Sequence, residues 1–200
     1  VPGVTLRRYC RADALLPIEQ IVEIGFKCAM ALGYCYRQGL VHRDVKPANL
    51  LAIVEGAQVV DVKITDFGSV FNLAADHTQV HRVGSLAYMS PEQLDGDPVD
   101  CRADIYSLAA VLYHLIAGRP PFDATQQQAI MYQIFNATPP PLAGLREGVP
   151  EGNSMSITGP AWAITARSVV PFPAPFSMPP SSSFSGVSAN GSPQHLVGHG

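Results

Sequence analysis

The sequence is short of charge: Asp, Glu, Lys and Arg together make up 14% of 200 residues, where about 25% is usual for a globular chain. It also lacks a basic excess. A net charge of −3 leaves no broad positive field, and a nucleic-acid partner is therefore not expected. Lysine occurs only at Lys27, Lys46 and Lys63. The four cysteines, Cys10, Cys28, Cys35 and Cys101, form no C-x-x-C pair and no Cys/His cluster with zinc spacing. Cys28 and Cys35 lie two turns apart on one expected helix, about 10 Å of rise, too far for a disulfide between them. Reduced thiols in a cytosolic protein are expected. No apolar run reaches the roughly 20 residues of a membrane span. The longest, Tyr106 to Gly118, carries His114 near its centre and reads as a buried core helix. The opening VPGVTLRRYC has no charged stretch followed by an apolar run, so no secretory signal is expected.

The charge deficit is local. In residues 151–200 only Glu151 and Arg167 are charged, Ser, Pro and Gly dominate, and no helix or strand period is sustained. This part is expected to be a disordered, low-complexity tail, because repeated prolines withhold backbone donors and scattered aromatics cannot form a core. Residues 1–150 have periodic patterning instead. Leu6 to Ala14 suits one or two helical turns. After Pro17, Ile18, Ile21, Val22, Cys28, Ala29, Leu32 and Cys35 recur at three- and four-residue intervals, which predicts a helix over 18–38 stopped by Gly39. Two β-branched runs, Leu50 to Val54 and Val59 to Thr65, flank Glu55-Gly56-Ala57-Gln58 and predict a hairpin. Further helices are expected over 104–117, apolar nearly all round, and over 125–135.

One stretch concentrates polar chemistry. Val41 to Leu51, VHRDVKPANLL, places the acid Asp44, the base Lys46 and the amide Asn49 in a single short loop. Asp66-Phe67-Gly68 follows the expected hairpin, so that Asn49 and Asp66 meet at its open end, and Ser90-Pro91-Glu92 comes later. In this order and spacing these motifs resemble the H-R-D-x-x-x-x-N, D-F-G and A-P-E patterns of Hanks-type serine/threonine protein kinases. The wording GSLAYMSPEQ and DIYSLAAVLYHLIAGRPPF resembles the bacterial branch.

The resemblance covers residues 1–150 and takes the form of the C-terminal lobe of the catalytic domain. It implies a mainly α fold with a small β-hairpin carrying the metal-binding residues. It also implies transfer of the γ-phosphoryl of ATP to a protein Ser/Thr hydroxyl, with Mg²⁺. Asp44 is then the catalytic base, Lys46 the stabiliser of the transferring group, and Asn49 and Asp66 the metal ligands, with Asn49, Asp66 and Leu51 at the nucleotide. Arg43, Thr78 and Ser85 belong to the activation segment and its ordering, Thr78 as the expected phosphosite and Ser85 in a positional role. His42, Phe67, Gly68, Glu92 and Asp104 are implied to be structural. Read without the family, Asp104 would be a helix N-cap.

The family's Gly-rich loop and strand lysine find no counterpart here, since there is no G-x-G-x-x-G and Lys27 lies on the long helix. The N-terminal lobe is thus expected to be missing. No arginine suited to pair with Glu92 follows Pro150, so Glu92 is expected to be buried and unpaired. The expected location is cytoplasmic, as a free protein or as the cytoplasmic part of a membrane-anchored kinase. Partners are ATP and a protein substrate, with no membrane segment in the chain. Two other readings compete: a catalytically inactive binding module docking through 125–135 and 68–90, and a truncated or frameshifted product. The intact Asp44, Lys46, Asn49 and Asp66 speak against the inactive module.

Overall fold

The computed structural model describes residues 2–67, 71–72, 83–146 and 149, with the side chains of 71, 72, 83–85 and 144 left out. The expected tail over 151–200 lies outside the described residues.

A two-residue strand, β1 (Val4–Thr5), leads into a 3-10 turn, Leu6–Tyr9, shorter than the sequence pattern suggests. Helix α1 (Ile18–Arg37) follows directly on Pro17. Its inner face, Ile21, Ile24, Cys28 and Leu32, is buried at the three- and four-residue spacing that predicted it. Strand β2 (Leu40–Val41) follows, then a loop, then the antiparallel hairpin of β3 (Leu50–Glu55) and β4 (Gln58–Ile64) around Gly56-Ala57. β1 adds to the outer edge of β3, giving the order β1-β3-β4, and β5 (Phe71–Asn72) pairs with β2.

The hairpin is tied to α1 by polar side chains. Gln20 accepts from Val59 N–H at 3.2 Å and donates to the Ala57 carbonyl at 3.5 Å. Lys27 donates to the Val60 carbonyl and pairs with Glu23 at 3.0 Å.

A short helix, α2 (Pro91–Asp95), was not anticipated, although Ser90 and Gln93 stand at the S-x-x-Q spacing of a capping box. Helix α3 (Cys101–Ala117) begins three residues before the sequence pattern placed it. Asp100 is its N-cap, accepting from Arg102 N–H at 2.8 Å. Asp104 therefore lies inside the helix, and its N-cap reading is corrected. Gly118 closes α3 at φ 71°, a conformation that suits glycine, and donates to the His114 carbonyl at 2.8 Å. Helix α4 (Gln127–Asn136) completes the order. α3 is buried nearly all round, packs against α1, and contributes Tyr106, Tyr113 and Leu115 to a core shared with Leu6, Ile21, Ile24 and Leu50.

All four cysteines are free, and burial pushes the pKa of Cys10 and of Cys28 up to about 12. Such thiols stay protonated at neutral pH and behave as small apolar groups. Among the described residues no helix is long and apolar enough to cross a membrane.

Candidate functional site

The site is the loop from His42 to Asn49, held between β2 and β3 and braced by helices that lie far away in sequence. Asp104, from the first turns of α3, is 4% exposed, and both of its oxygens accept backbone donors of this loop. Oδ2 takes the N–H of His42 at 2.8 Å and Oδ1 the N–H of Arg43 at 2.7 Å. Burial raises the Asp104 pKa, and the two N–H bonds oppose that rise by favouring the ionised form.

Arg43 adopts φ 65°, left-handed backbone that costs on the order of 1–3 kcal/mol outside glycine and survives only where neighbours dictate it. Here they do so from both sides. Its N–H is fixed by Asp104, and its carbonyl accepts from Gln93 Nε2 of α2 at 2.8 Å. Gln93 is a supporting residue that the sequence reading missed. Its other end, Oε1, accepts from Ser90 N–H at 3.2 Å, so one amide closes α2 and holds the loop.

His42 is fully buried and its ring is used on both sides. Asp44 N–H donates to Nδ1 at 3.3 Å, so the ring proton sits on Nε2, which donates to the Thr65 carbonyl at 3.0 Å. Phe67 meets the ring edge-on, centroids 4.9 Å apart, yet remains 43% exposed among the described residues. These bonds fasten the loop to the end of β4.

The polar groups converge on one oxygen. Asp44 Oδ2 accepts from Lys46 Nζ at 2.6 Å and from Asn49 Nδ2 at 2.9 Å. The same Nδ2 donates to the Asp44 carbonyl at 2.9 Å. Asp44 and Lys46 are largely shielded, with side chains 16% and 22% exposed, so their attraction is less screened than at a free surface. Oδ1 of Asp44 takes none of these bonds. Among the described residues only Oδ2 is so bonded, and a carboxylate held by one oxygen is suited to accept a proton at the other from an incoming hydroxyl.

Asn49 and Asp66 reach the open end of the hairpin together. The Asn49 carbonyl accepts from Thr65 N–H at 2.8 Å and from Thr65 Oγ1 at 3.0 Å, and Asp66 follows next in sequence, exposed, at φ 61°. With Nδ2 of Asn49 committed to Asp44, its Oδ1 is left to meet a cation. One amide oxygen and one carboxylate form a hard-oxygen pair that fits Mg²⁺, which keeps waters and shares its shell with substrate phosphates. Among the described residues no group of three His, Cys, Asp or Glu side chains could hold a metal by itself.

Other expected residues are placed as follows. Leu51, half-buried on β3, pairs with Lys63 and with Thr5, and a Cβ at Gly3 would come within 3.1 Å of its own Cβ. Glu92 is half-buried in the first turn of α2, so the expectation that it is buried is corrected. The reason is local: α2 is a five-residue helix with no buried residue. Gly68 and Thr78 lie outside the described residues, as does the side chain of Ser85.

The chain is similar to known proteins over most of its length. A family model described as "Protein kinase domain" matches residues 1–157. The chain is similar to the serine/threonine-protein kinase PknB of Mycobacterium leprae, 39% identical over 153 residues, 74% of this chain and 24% of that protein. It is similar also to PknB of Mycobacterium tuberculosis, 35% identical over 153 residues, with the same coverage of 74% and 24%. A probable serine/threonine-protein kinase PknB of Bifidobacterium longum is 39% identical over 149 residues, 72% of this chain and 21% of that protein. The chain thus spans about a quarter of the length of the curated relatives it matches. Matched over most of its length and carrying the acid, lysine and amide on one braced loop, the chain belongs to the protein kinase family, in its bacterial Hanks type.

Proposed function

We propose that the chain carries the phosphoacceptor side of a serine/threonine protein kinase, transferring the γ-phosphoryl of ATP to a protein Ser or Thr hydroxyl. The observation that carries this reading is the convergence of Lys46 and Asn49 on one oxygen of Asp44. The substrate hydroxyl attacks the γ-phosphorus while the bond to the β–γ bridging oxygen breaks, and the hydroxyl proton passes to Asp44 Oδ1. Asp44 orients that hydroxyl because Oδ2 is immobilised. Lys46, beside Asp44, would share its charge with the phosphoryl oxygens, where a preorganised cation favours the transition state over the ground state. Asn49 Oδ1 and Asp66 would hold Mg²⁺, which when bound neutralises the phosphates. Leu51 lies on the strand leaving the loop and would border the nucleotide.

In this reading residues 1–150 are the mainly helical C-terminal lobe, the hairpin is its metal-bearing element, and 151–200 form a separate low-complexity segment. Arg43 would receive a phosphorylated activation-segment residue, with Thr78 the candidate, and Ser85 would help position Asp44 and Lys46. The sequence contains no G-x-G-x-x-G with which to grip ATP from the opposite side. The test is made on the full-length gene product, with radiolabelled ATP and a protein substrate. Asp44→Asn and Asp66→Asn are each expected to lower turnover by about 10²-fold or more while the circular dichroism spectrum stays that of the wild type. A folded Asp44→Asn protein working at the wild-type rate would overturn the assignment.

A further inference from the structure

Three of the six large apolar side chains that stand exposed among the described residues fall on one line of α1: Phe26 at 45%, Met30 at 50% and Tyr34 at 61%. They are spaced by four residues and run about 12 Å along the helix. The core does not need them, because Ile21, Ile24, Cys28 and Leu32 already bury the opposite face. Isolated exposed apolar residues are ordinary, but a continuous stripe on one helix marks a contact surface.

The charges on the same face say what the stripe fits. At about 100° per residue, Glu19, Glu23, Phe26, Met30, Tyr34 and Arg37 lie within an arc of about 80°. The acids are at the N-terminal end, the arginine at the C-terminal end, and the apolar residues between. Glu19 and Arg37 complement the dipole of their own helix, which explains their place without a partner. The stripe between them has no such explanation. An identical face laid alongside in the opposite direction, with Glu19 against Arg37 of the copy, brings Phe26 against Met30 of the copy. Both contacts then occur twice about a two-fold axis, as a closed symmetric pair requires. A parallel arrangement would set Glu19 against Glu19 and is disfavoured.

We infer that the outer face of α1 is a self-association surface, on which a second copy of this chain packs its own α1 antiparallel. The face is on the surface of the helix that leads into the candidate catalytic loop, so pairing leaves the loop's bonds to α2 and α3 intact.

The test is a concentration series of the full chain by sedimentation equilibrium, with circular dichroism to confirm that each variant is folded. The wild-type chain is expected to dimerise. Met30→Glu is expected to abolish the dimer. Glu19→Arg and Arg37→Glu, each alone, set like charges against each other and are expected to weaken the dimer about tenfold. The double variant Glu19→Arg with Arg37→Glu is expected to restore it. These two residues are about 27 Å apart within one helix, so restoration can come only from contact between copies. A chain that stays monomeric at high micromolar concentration overturns the inference. So does a dimer indifferent to Met30→Glu, or a double variant no tighter than the singles.

Discussion

Asp104 is the residue on which the candidate loop depends, and its chemistry makes a sharp demand. Both oxygens face N–H donors, so only an acceptor–acceptor side chain satisfies His42 and Arg43 at once. Asp104→Asn keeps shape and volume but turns an amide NH₂ toward one of these donors. The expected loss is about 1–3 kcal/mol of unfolding free energy, the magnitude for stranding one buried donor, measured by urea titration. Because the loop would lose one of the two bonds it receives from Asp104, turnover should fall along with stability, and a variant as stable as the wild type would show that the brace is not needed. His114 offers a different experiment at the same scale. Its Nδ1 is 2.8 Å from the Tyr88 hydroxyl, and burial lowers its pKa despite a bond to the backbone of Cys10. The folded state therefore resists protonating this ring. Its contribution to stability is intact above about pH 6.5 and is lost as pH falls through the lower folded value. The melting temperature should drop between pH 7 and pH 5, and His114→Gln should flatten that drop.

Helix α1 packs on α3, and at Gly25 it has no room to spare. A Cβ there would lie 3.0 Å from Leu112 Cδ1. A single methyl meets the movable end of a leucine and gains helix propensity, so Gly25→Ala is expected to be nearly neutral. Gly25→Val has no such escape and is expected to cost about 1–3 kcal/mol through overpacking, which chemical denaturation would detect. Gly118 is constrained by backbone instead: at φ 71° a Cβ would stand 3.3 Å from Cα and N of Ala12. Gly118→Ala should lose about 1–2 kcal/mol, and an unchanged midpoint would refute the constraint.

The elements also show what the sequence could and could not disclose. α1, the hairpin and α3 were legible because their apolar spacing repeats over several turns or residues, and helix type is robust to such repetition. The boundaries of α3 were not, since Asp100 and Asp104 are both plausible caps by composition and only their bonds distinguish them. β1, β2 and β5 are two-residue strands with no period to read. At the site, Asp44, Lys46, Asn49 and Asp66 were visible as residue types at fixed spacing. Gln93 was not, because its partner is the Arg43 carbonyl, fifty residues earlier, and a backbone acceptor leaves no trace in side-chain patterns.

At the scale of the molecule, Asp104 and His114 pull in opposite directions across pH. Burial raises the Asp104 pKa, so its ionisation, as pH climbs past the ordinary value of 3.8, works against the folded state. His114 works the other way, favouring the fold as pH rises toward 6.5. In Asp104→Asn the loss of stability that accompanies ionisation of the raised Asp104 carboxyl should be absent, while the fall that His114 brings below about pH 6.5 remains, and a melting profile of unchanged shape would contradict this division.

The bonds from Asp104 to His42 and Arg43 join residues 62 and 61 positions apart. Contacts of such separation are among the last a chain can form, because the ordering of everything between them must be in hand first. During synthesis the loop is translated long before its brace exists. A nascent chain that has released Asp44, Lys46 and Asn49 but not yet α3 has the residues of the site without its shape. The shape of the loop is then acquired only when α3 docks and Asp104 meets the N–H groups of His42 and Arg43.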